Sequence, residues 1–263
     1  MPAYLDNAAT TRVCPEAARA ALEAMTEGFG NPSARYAPGQ AAAARVAEHR
    51  AAVARRLGCD PAELTFTSCG TEGDNWAVRA AAEHGRRRGR HIITTAIEHA
   101  AVLEPVKALA AQGYEVTYLK PDRAGRVSVD ELRAALREDT VLVSMMLVNN
   151  ELGTLQPVAQ AAQAIRDAGS PALLHCDAVQ GFLKVPFTPA RLGVDMLTLS
   201  GHKLRAPKGI GVQYIRKGLN LKPLLLGGGQ EGGLRSGTEP TAQIAALAAA
   251  CDAWGEDYPA RIS

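Results

Sequence analysis

The sequence predicts an α/β fold: a mostly parallel, seven-stranded sheet wound with helices. Two observations carry that reading. Segments with the apolar period of a helix alternate with short β-prone runs through most of the chain. Several of those runs are almost wholly apolar, as strands buried on both faces are. Size agrees, because 263 residues at 47% hydrophobic content can supply the core of one large domain.

In chain order, Pro15 to Thr26 and Gln40 to Leu57 read as helices by apolar spacing, and Leu64 to Thr67 as a strand. Glu72 to Arg88 is the next helix, and its Arg86-Arg87-Arg88 end suits the negative pole of the helix dipole. A strand at His91 to Thr94, a helix near Ala101 to Gln112 and a strand at Glu115 to Tyr118 follow. Ser128 opens a helix over Val129 to Arg137, Val141 to Leu147 is strongly β-prone, and Val158 to Ala168 is helical. Ala172 to Cys176 and Val194 to Leu199 are short apolar runs that end at Asp177 and Ser200. Ile210 to Ile215 is the seventh strand, Gly227-Gly228-Gly229 a turn, and Thr241 to Ala253 a last helix.

Charge narrows the classes of function. Lys and Arg number 29 against 27 Asp and Glu, a net charge of +2. The basic residues are dispersed apart from the one arginine cluster, so neither nucleic acid nor a membrane surface is indicated. The five cysteines (Cys14, Cys59, Cys69, Cys176, Cys251) form no CxxC pair, and no apolar run approaches the ~18 residues of a spanning helix. With Tyr4-Leu5-Asp6-Asn7 following directly on the first residues, the expected setting is a reduced cytoplasm. No metal site is expected.

The chemistry gathers at strand ends. Asp177 and Lys203 each follow a buried run, at the sheet edge where open α/β sheets bind ligands. An amine that holds an aldehyde cofactor as an imine needs a carboxylate at the far end of the cofactor ring, because a protonated pyridine nitrogen makes that ring an electron sink. Pyridoxal phosphate (PLP) meets that description. Gly70 and Thr71 open a helix after a strand, which offers free N–H groups and a positive dipole end to a phosphate, although an ordinary N-cap reads the same way. Ser200 and His202 add donors. His99 follows another strand and can stack on a planar ring or move a proton, or simply stand at the surface. Asn150 and Gln180 offer amides to a phenolic oxygen, while Asn149-Asn150 could equally form a turn.

Together these residues resemble a known family. Leu5-Asp6-Asn7-Ala8-Ala9-Thr10-Thr11, Asn31-Pro32-Ser33, Phe66-Thr67-Ser68 with Thr71-Glu72 and Asp74-Asn75, and Glu98-His99 match cysteine desulfurases. So do Val148-Asn149-Asn150-Glu151-Leu152-Gly153, Asp177-Ala178-Val179-Gln180, Ser200-Gly201-His202-Lys203, Gly227 to Glu231 and Arg235-Ser236-Gly237-Thr238-Glu239, in order from residue 4 to about 250. These are the sulfur-mobilising branch of the class V aminotransferase-like PLP enzymes. The resemblance implies the large domain of PLP fold type I, over residues 15–250, with residues 1–14 as an N-terminal arm and 251–263 as the start of a C-terminal domain. It also implies a role for each matched residue. Lys203 would carry PLP as a covalent imine and act as acid and base, Asp177 would meet the pyridine nitrogen, and His99 would stack and transfer protons. Asn150 and Gln180 would neighbour the phenolic oxygen, and Gly70, Thr71, Ser200 and His202 would bind the phosphate. Thr238 would reach the phosphate of a second subunit's cofactor, which implies a homodimer. The implied reaction converts L-cysteine to L-alanine and passes sulfur as a persulfide to an acceptor or scaffold protein, for iron–sulfur or thio-cofactor and tRNA supply.

The pattern departs from the family in two respects. Family members continue for about 100 residues beyond the Arg-Ser-Gly-Thr segment, with a persulfide-forming cysteine and a substrate-gripping arginine. No motif of this chain matches either, so it is expected to be an N-terminal portion. Cys69 stands where the family has glycine. A selenocysteine lyase or other class V PLP lyase, and a non-catalytic PLP-binding or dimerising subunit, are the neighbouring readings.

Overall fold

The computed structural model of the chain describes residues 3–254. Part of the expected C-terminal segment, residues 255–263, therefore lies outside the described residues. Seven strands form one sheet: β1 (Leu64–Thr67), β2 (His91–Thr95), β3 (Glu115–Leu119), β4 (Thr140–Ser144), β5 (Leu173–Asp177), β6 (Met196–Ser200) and β7 (Gly211–Ile215). Their order across the sheet is β1-β7-β6-β5-β4-β2-β3. The pairs β3–β2, β2–β4, β4–β5 and β5–β6 are parallel, and β7 runs antiparallel to both its neighbours. One reversed strand in seven makes the sheet mostly parallel.

Helices α1 (Pro15–Thr26), α2 (Ala37–Leu57), α3 (Gly70–Gly85), α4 (Ala100–Ala110), α5 (Val129–Ala135), α6 (Val158–Asp167), α7 (Pro189–Leu192) and α8 (Thr241–Ala253) surround it. Two cores result, one on each face. Val53 and Leu57 of α2, Ile165 of α6 and Leu247 of α8 pack with Phe66, Val143, Leu174 and Leu197 of the sheet. On the opposite face Trp76 and Val78 of α3 and Val102 of α4 pack with Leu142, Leu173 and Met196. Each fully buried leucine of this kind contributes about 1.5–3 kcal/mol.

Side chains alternate across a strand, and the face under α3 changes character along it. Leu142, Leu173 and Met196 begin that face, and Ser144, His175, Asp177, Thr198 and Ser200, two residues further on in each step, are buried polar groups nearer the carboxyl ends of β4, β5 and β6. That shift from apolar to polar positions the site.

Several boundaries differ from the sequence expectation. The run Val141 to Leu147 leaves the strand at Ser144, although Met145 and Leu147 still donate N–H bonds to the carbonyls of His175 and Asp177, at 3.0 and 2.8 Å. Helix α3 starts at Gly70 and ends at Gly85, so Arg86 caps it and the other two arginines follow. Helix α2 begins at Ala37 because Pro38 fits a first turn. The short α7, where the Thr188 hydroxyl accepts from the Arg191 N–H, lacks the length for a periodic signal.

Candidate active site

At the carboxyl edge of β4, β5 and β6 lies a cavity of about 520 Å³. Of the ten residues singled out from the sequence, nine line it: Gly70, Thr71, His99, Asn150, Asp177, Gln180, Ser200, His202 and Lys203. Thr238 does not; it is exposed on the segment after Gly227-Gly228-Gly229. Asp6, Ala8 and Ala9 of the arm close one side.

The two anchors sit on adjacent strands. Asp177 ends β5, paired with Thr198 of β6, and its Oδ1 accepts from the Val179 N–H at 2.9 Å. Lys203 closes a single 3₁₀ turn directly after β6. That turn needs Gly201, since a Cβ there would stand 2.6 Å from Ile210 Cγ2. The Lys203 amine donates to the carbonyl of Ala9 at 2.8 Å and to that of Ala8. His202 is held from the same side, with its carbonyl accepting from Thr11 Oγ1 at 2.8 Å and its Nδ1 3.2 Å from Thr10 Oγ1.

Cys69 takes an extended φ of −173° as N-cap of α3, so glycine is not required there. The first-turn N–H groups of α3 have no intrahelical acceptor, the helix dipole is positive at this end, and Gly70 and Thr71 line the cavity. Gly70 itself is buried against Val179 and Ser200, and a Cβ on it would meet them at 3.0 and 3.4 Å. His99 caps α4, its Nδ1 accepting from the Ala101 N–H at 3.1 Å, so a neutral ring carries its proton on Nε2.

The two asparagines divide the two readings between them. Asn149 builds the turn, its Oδ1 accepting from the N–H groups of Glu151 and Leu152 at 3.0 and 2.8 Å, while Asn150 faces the cavity. Gln180 bridges inward and outward, donating to the Ala8 carbonyl at 2.8 Å and accepting from Lys184 Nζ at 2.9 Å.

Electrostatically the floor is acidic and the rim basic. Burial raises the proton affinity of the Asp177 carboxyl, against the pull of its Val179 hydrogen bond and of His99 and Lys203. Burial lowers that of the Lys203 amine, with Asp177 and Asp6 opposing, and lowers that of His202, where Lys203, Lys208 and Lys184 add to the effect. Two further carboxyls stand in the matched motifs without an expected role: Asp74, which lines the cavity, and Glu98, whose burial pushes it up to about 8. No group of three metal-ligating side chains occurs among the described residues.

This sheet and this strand-edge site define a class. The chain belongs to the aminotransferase class-V family, which it matches over residues 3–260. Members of that family use PLP. Within the family its relatives are cysteine desulfurases. It is 49% identical over 249 residues to cysteine desulfurase 2 of Trichormus variabilis, covering 95% of this chain and 62% of that protein. To cysteine desulfurase IscS of Methanosarcina thermophila it is 46% identical, covering 95% and 61%. Among solved structures, a NifS-like protein superposes with a TM-score of 0.95 at 43% identity, covering 98% of this chain and 71% of that one. DndA from Streptomyces lividans gives a TM-score of 0.84 at 45% identity, covering 97% and 73%. The chain thus spans about three-fifths of the length of the curated relatives it matches.

Proposed function

We propose that this chain is the cofactor-bearing part of a PLP-dependent cysteine desulfurase. The observation that carries the proposal is the single cavity in which a buried carboxyl, Asp177, a half-buried amine, Lys203, and the first turn of α3 converge. The residues fit PLP: an acid for a ring nitrogen, an amine for an aldehyde and N–H donors for a phosphate.

PLP, which Lys203 would hold as a covalent imine, would supply an electron sink for charge that develops at a substrate α-carbon. The chain's own groups do the rest. Asp177 would hold a negative charge towards a ring nitrogen. The N–H groups of Gly70 and Thr71, with Ser200 and His202, hold the phosphate, and Asn150 and Gln180 flank the phenolic oxygen. His99, oriented by its bond to Ala101, would cover one face of the ring and move a proton at Nε2. Once the amino group of L-cysteine has taken its place on the cofactor, the freed Lys203 amine, made less basic by burial, would accept the proton from the α-carbon and deliver a proton on the way to L-alanine.

The finer readings rest on the relatives. Sulfur would leave as a persulfide for an acceptor or scaffold protein, in iron–sulfur cluster or thio-cofactor supply. Thr238 would serve the phosphate of a second copy, making the active form a homodimer with residues 1–14 as arm, 15–250 as the PLP domain and 251–263 leading into a C-terminal domain. A cytoplasmic setting suits that chemistry, and no helix among the described residues is long and apolar enough to cross a membrane. Purified protein given PLP is expected to turn yellow, and Lys203→Ala to abolish the imine absorbance band. A colourless wild type in excess PLP would refute the reading.

A further inference from the structure

Asp74 is a carboxyl for which the reaction outlined above has no use. It lies in the first turns of α3, buried beneath the cavity that it also lines, and its Oδ1 has no hydrogen-bond partner. Gly73 puts it there. A Cβ at Gly73 would stand 2.8 Å from both Thr198 Cγ2 and Gln213 Oε1, so glycine lets the helix descend onto β6 and β7 and carries the next residue down with it.

No cation among the described residues meets this acid. His175 Nε2 is 3.5 Å from Asp74 Oδ1, but the two ring nitrogens are engaged by Ser144 Oγ at 2.9 Å and Thr198 Oγ1 at 3.0 Å. Burial also lowers the His175 pKa to about 3, so the imidazole is neutral and the contact is no ion pair. Burial first of all favours the protonated form of Asp74; Asp177 and Glu98, from the strand edge beside it, and Cys69, from the turn before it, add to that, and the Thr198 hydroxyl opposes them. Asp177 is placed differently, because His99 and Lys203 both favour its charge. Two buried acids that interact cannot both ionise cheaply, and the groups that face each of them decide which one does.

We propose that Asp74 is a positioning residue: it stays protonated beneath the cavity and so leaves the negative charge of the pair on Asp177, where a cationic ring nitrogen meets it. This rests on the PLP reading for the ligand, though not for the proton.

A group that binds its proton more tightly folded than unfolded gives stability that is full below its unfolded pKa and fades as pH rises towards the folded one. For Asp74 the loss begins near the ordinary aspartate value of 3.8 and extends well above it. Infrared spectra and urea unfolding of the purified chain, from about pH 5 to about pH 9, test this on wild type, Asp74→Asn and Asp74→Ser. Asparagine copies the shape of the protonated acid, and serine serves if that variant fails to fold. Both variants are expected to lose part of the protonated-carboxyl absorption at neutral pH, the remainder belonging to Glu98. The unfolding constant of wild type should rise relative to the variant by up to about tenfold per pH unit over part of that range. Asp74→Asn should keep the imine band and a PLP affinity within about threefold of wild type. Unchanged carboxyl absorption, wild-type stability that holds level with or gains on the variant as pH rises, or loss of the imine band in Asp74→Asn alone overturns the proposal. A wild type that is itself colourless sinks the PLP reading and leaves the carboxyl result to stand separately.

Discussion

Arg235 donates from Nε and Nη2 to the two carboxylate oxygens of Glu72, at 2.8 and 3.2 Å. Glu72 also accepts from the hydroxyl and N–H of Ser68, at 2.5 and 3.2 Å, and these partners outweigh burial to hold its pKa below the usual range. The segment that carries Thr238 is thereby tied to the first turn of α3, the turn assigned to the phosphate. Arg235→Ala leaves a half-buried carboxylate short of its partner, at a cost of about 1–2 kcal/mol. Urea unfolding should show that loss, and a PLP titration should show weaker binding by about threefold to tenfold. Full affinity in a destabilised variant would uncouple this ion pair from the cofactor site.

Asp177→Ala separates binding from electronics. The phosphate and imine contacts remain, so part of the PLP should stay bound, while the ring loses the carboxylate that favours its protonated nitrogen. Exchange of the α-proton of bound L-cysteine with deuterated water should fall below detection, as followed by mass spectrometry. Exchange at the wild-type rate would remove Asp177 from the assigned role.

Much of this arrangement is legible in the chain because strand ends announce themselves. The apolar runs before Asp177 and Ser200 are strands buried on both faces, and a charged or hydroxyl residue after such a run has to lie at the sheet edge. Where the sequence is silent, the cause is tertiary. Asp74 sits in the early turns of a helix, the usual place for a solvated acid, and only the descent of α3 at Gly73 buries it. Ala8 and Ala9 hold the Lys203 amine through backbone carbonyls, which no side-chain pattern reveals. Asn149 and Asn150 are the same residue type side by side, and the contact of Asn149 Nδ2 with the Ile97 carbonyl at 2.9 Å assigns one to the turn and the other to the cavity.

Four of the five thiols of this chain are poorly placed to accept sulfur. A thiolate is the nucleophile, and burial pushes Cys176 upward and both Cys59 and Cys251 to about 12. Cys14 is buried in the core with α1. Cys69 is the cysteine that lines the cavity. The 263-residue chain incubated with PLP and L-cysteine should therefore gather little or no persulfide, as counted by alkylation and mass spectrometry. Turnover at the rate of a complete desulfurase would show that one of these sulfurs accepts after all, and Cys69→Ser would then identify whether it is the one in the cavity.

Glu98 gives the chain a pH dependence of defined sign. Its Oε1 accepts from the Thr95 hydroxyl at 2.7 Å and the Met146 N–H at 2.8 Å, pinning the loop after β2 to the one after β4, while Oε2 is buried without a partner among the described residues. Burial raises its pKa from 4.5 to about 8, and the Asp177 charge adds to the rise. The folded state therefore holds this proton more tightly than the unfolded chain does. The stability it gives is complete below about pH 4.5 and is lost as pH rises towards 8, with an upper limit of about 5 kcal/mol across that window. Glu98→Gln keeps an acceptor for Thr95 and Met146 and cannot ionise, so the unfolding free energy of wild type should fall relative to that of the variant from about pH 5 to about pH 8. Asp74 adds a slope of the same sign, which the Glu98 variant retains and which Asp74→Asn removes. A wild-type advantage that holds constant or grows with pH would mean that Glu98 is ionised in the folded chain and that water or a cation reaches its Oε2.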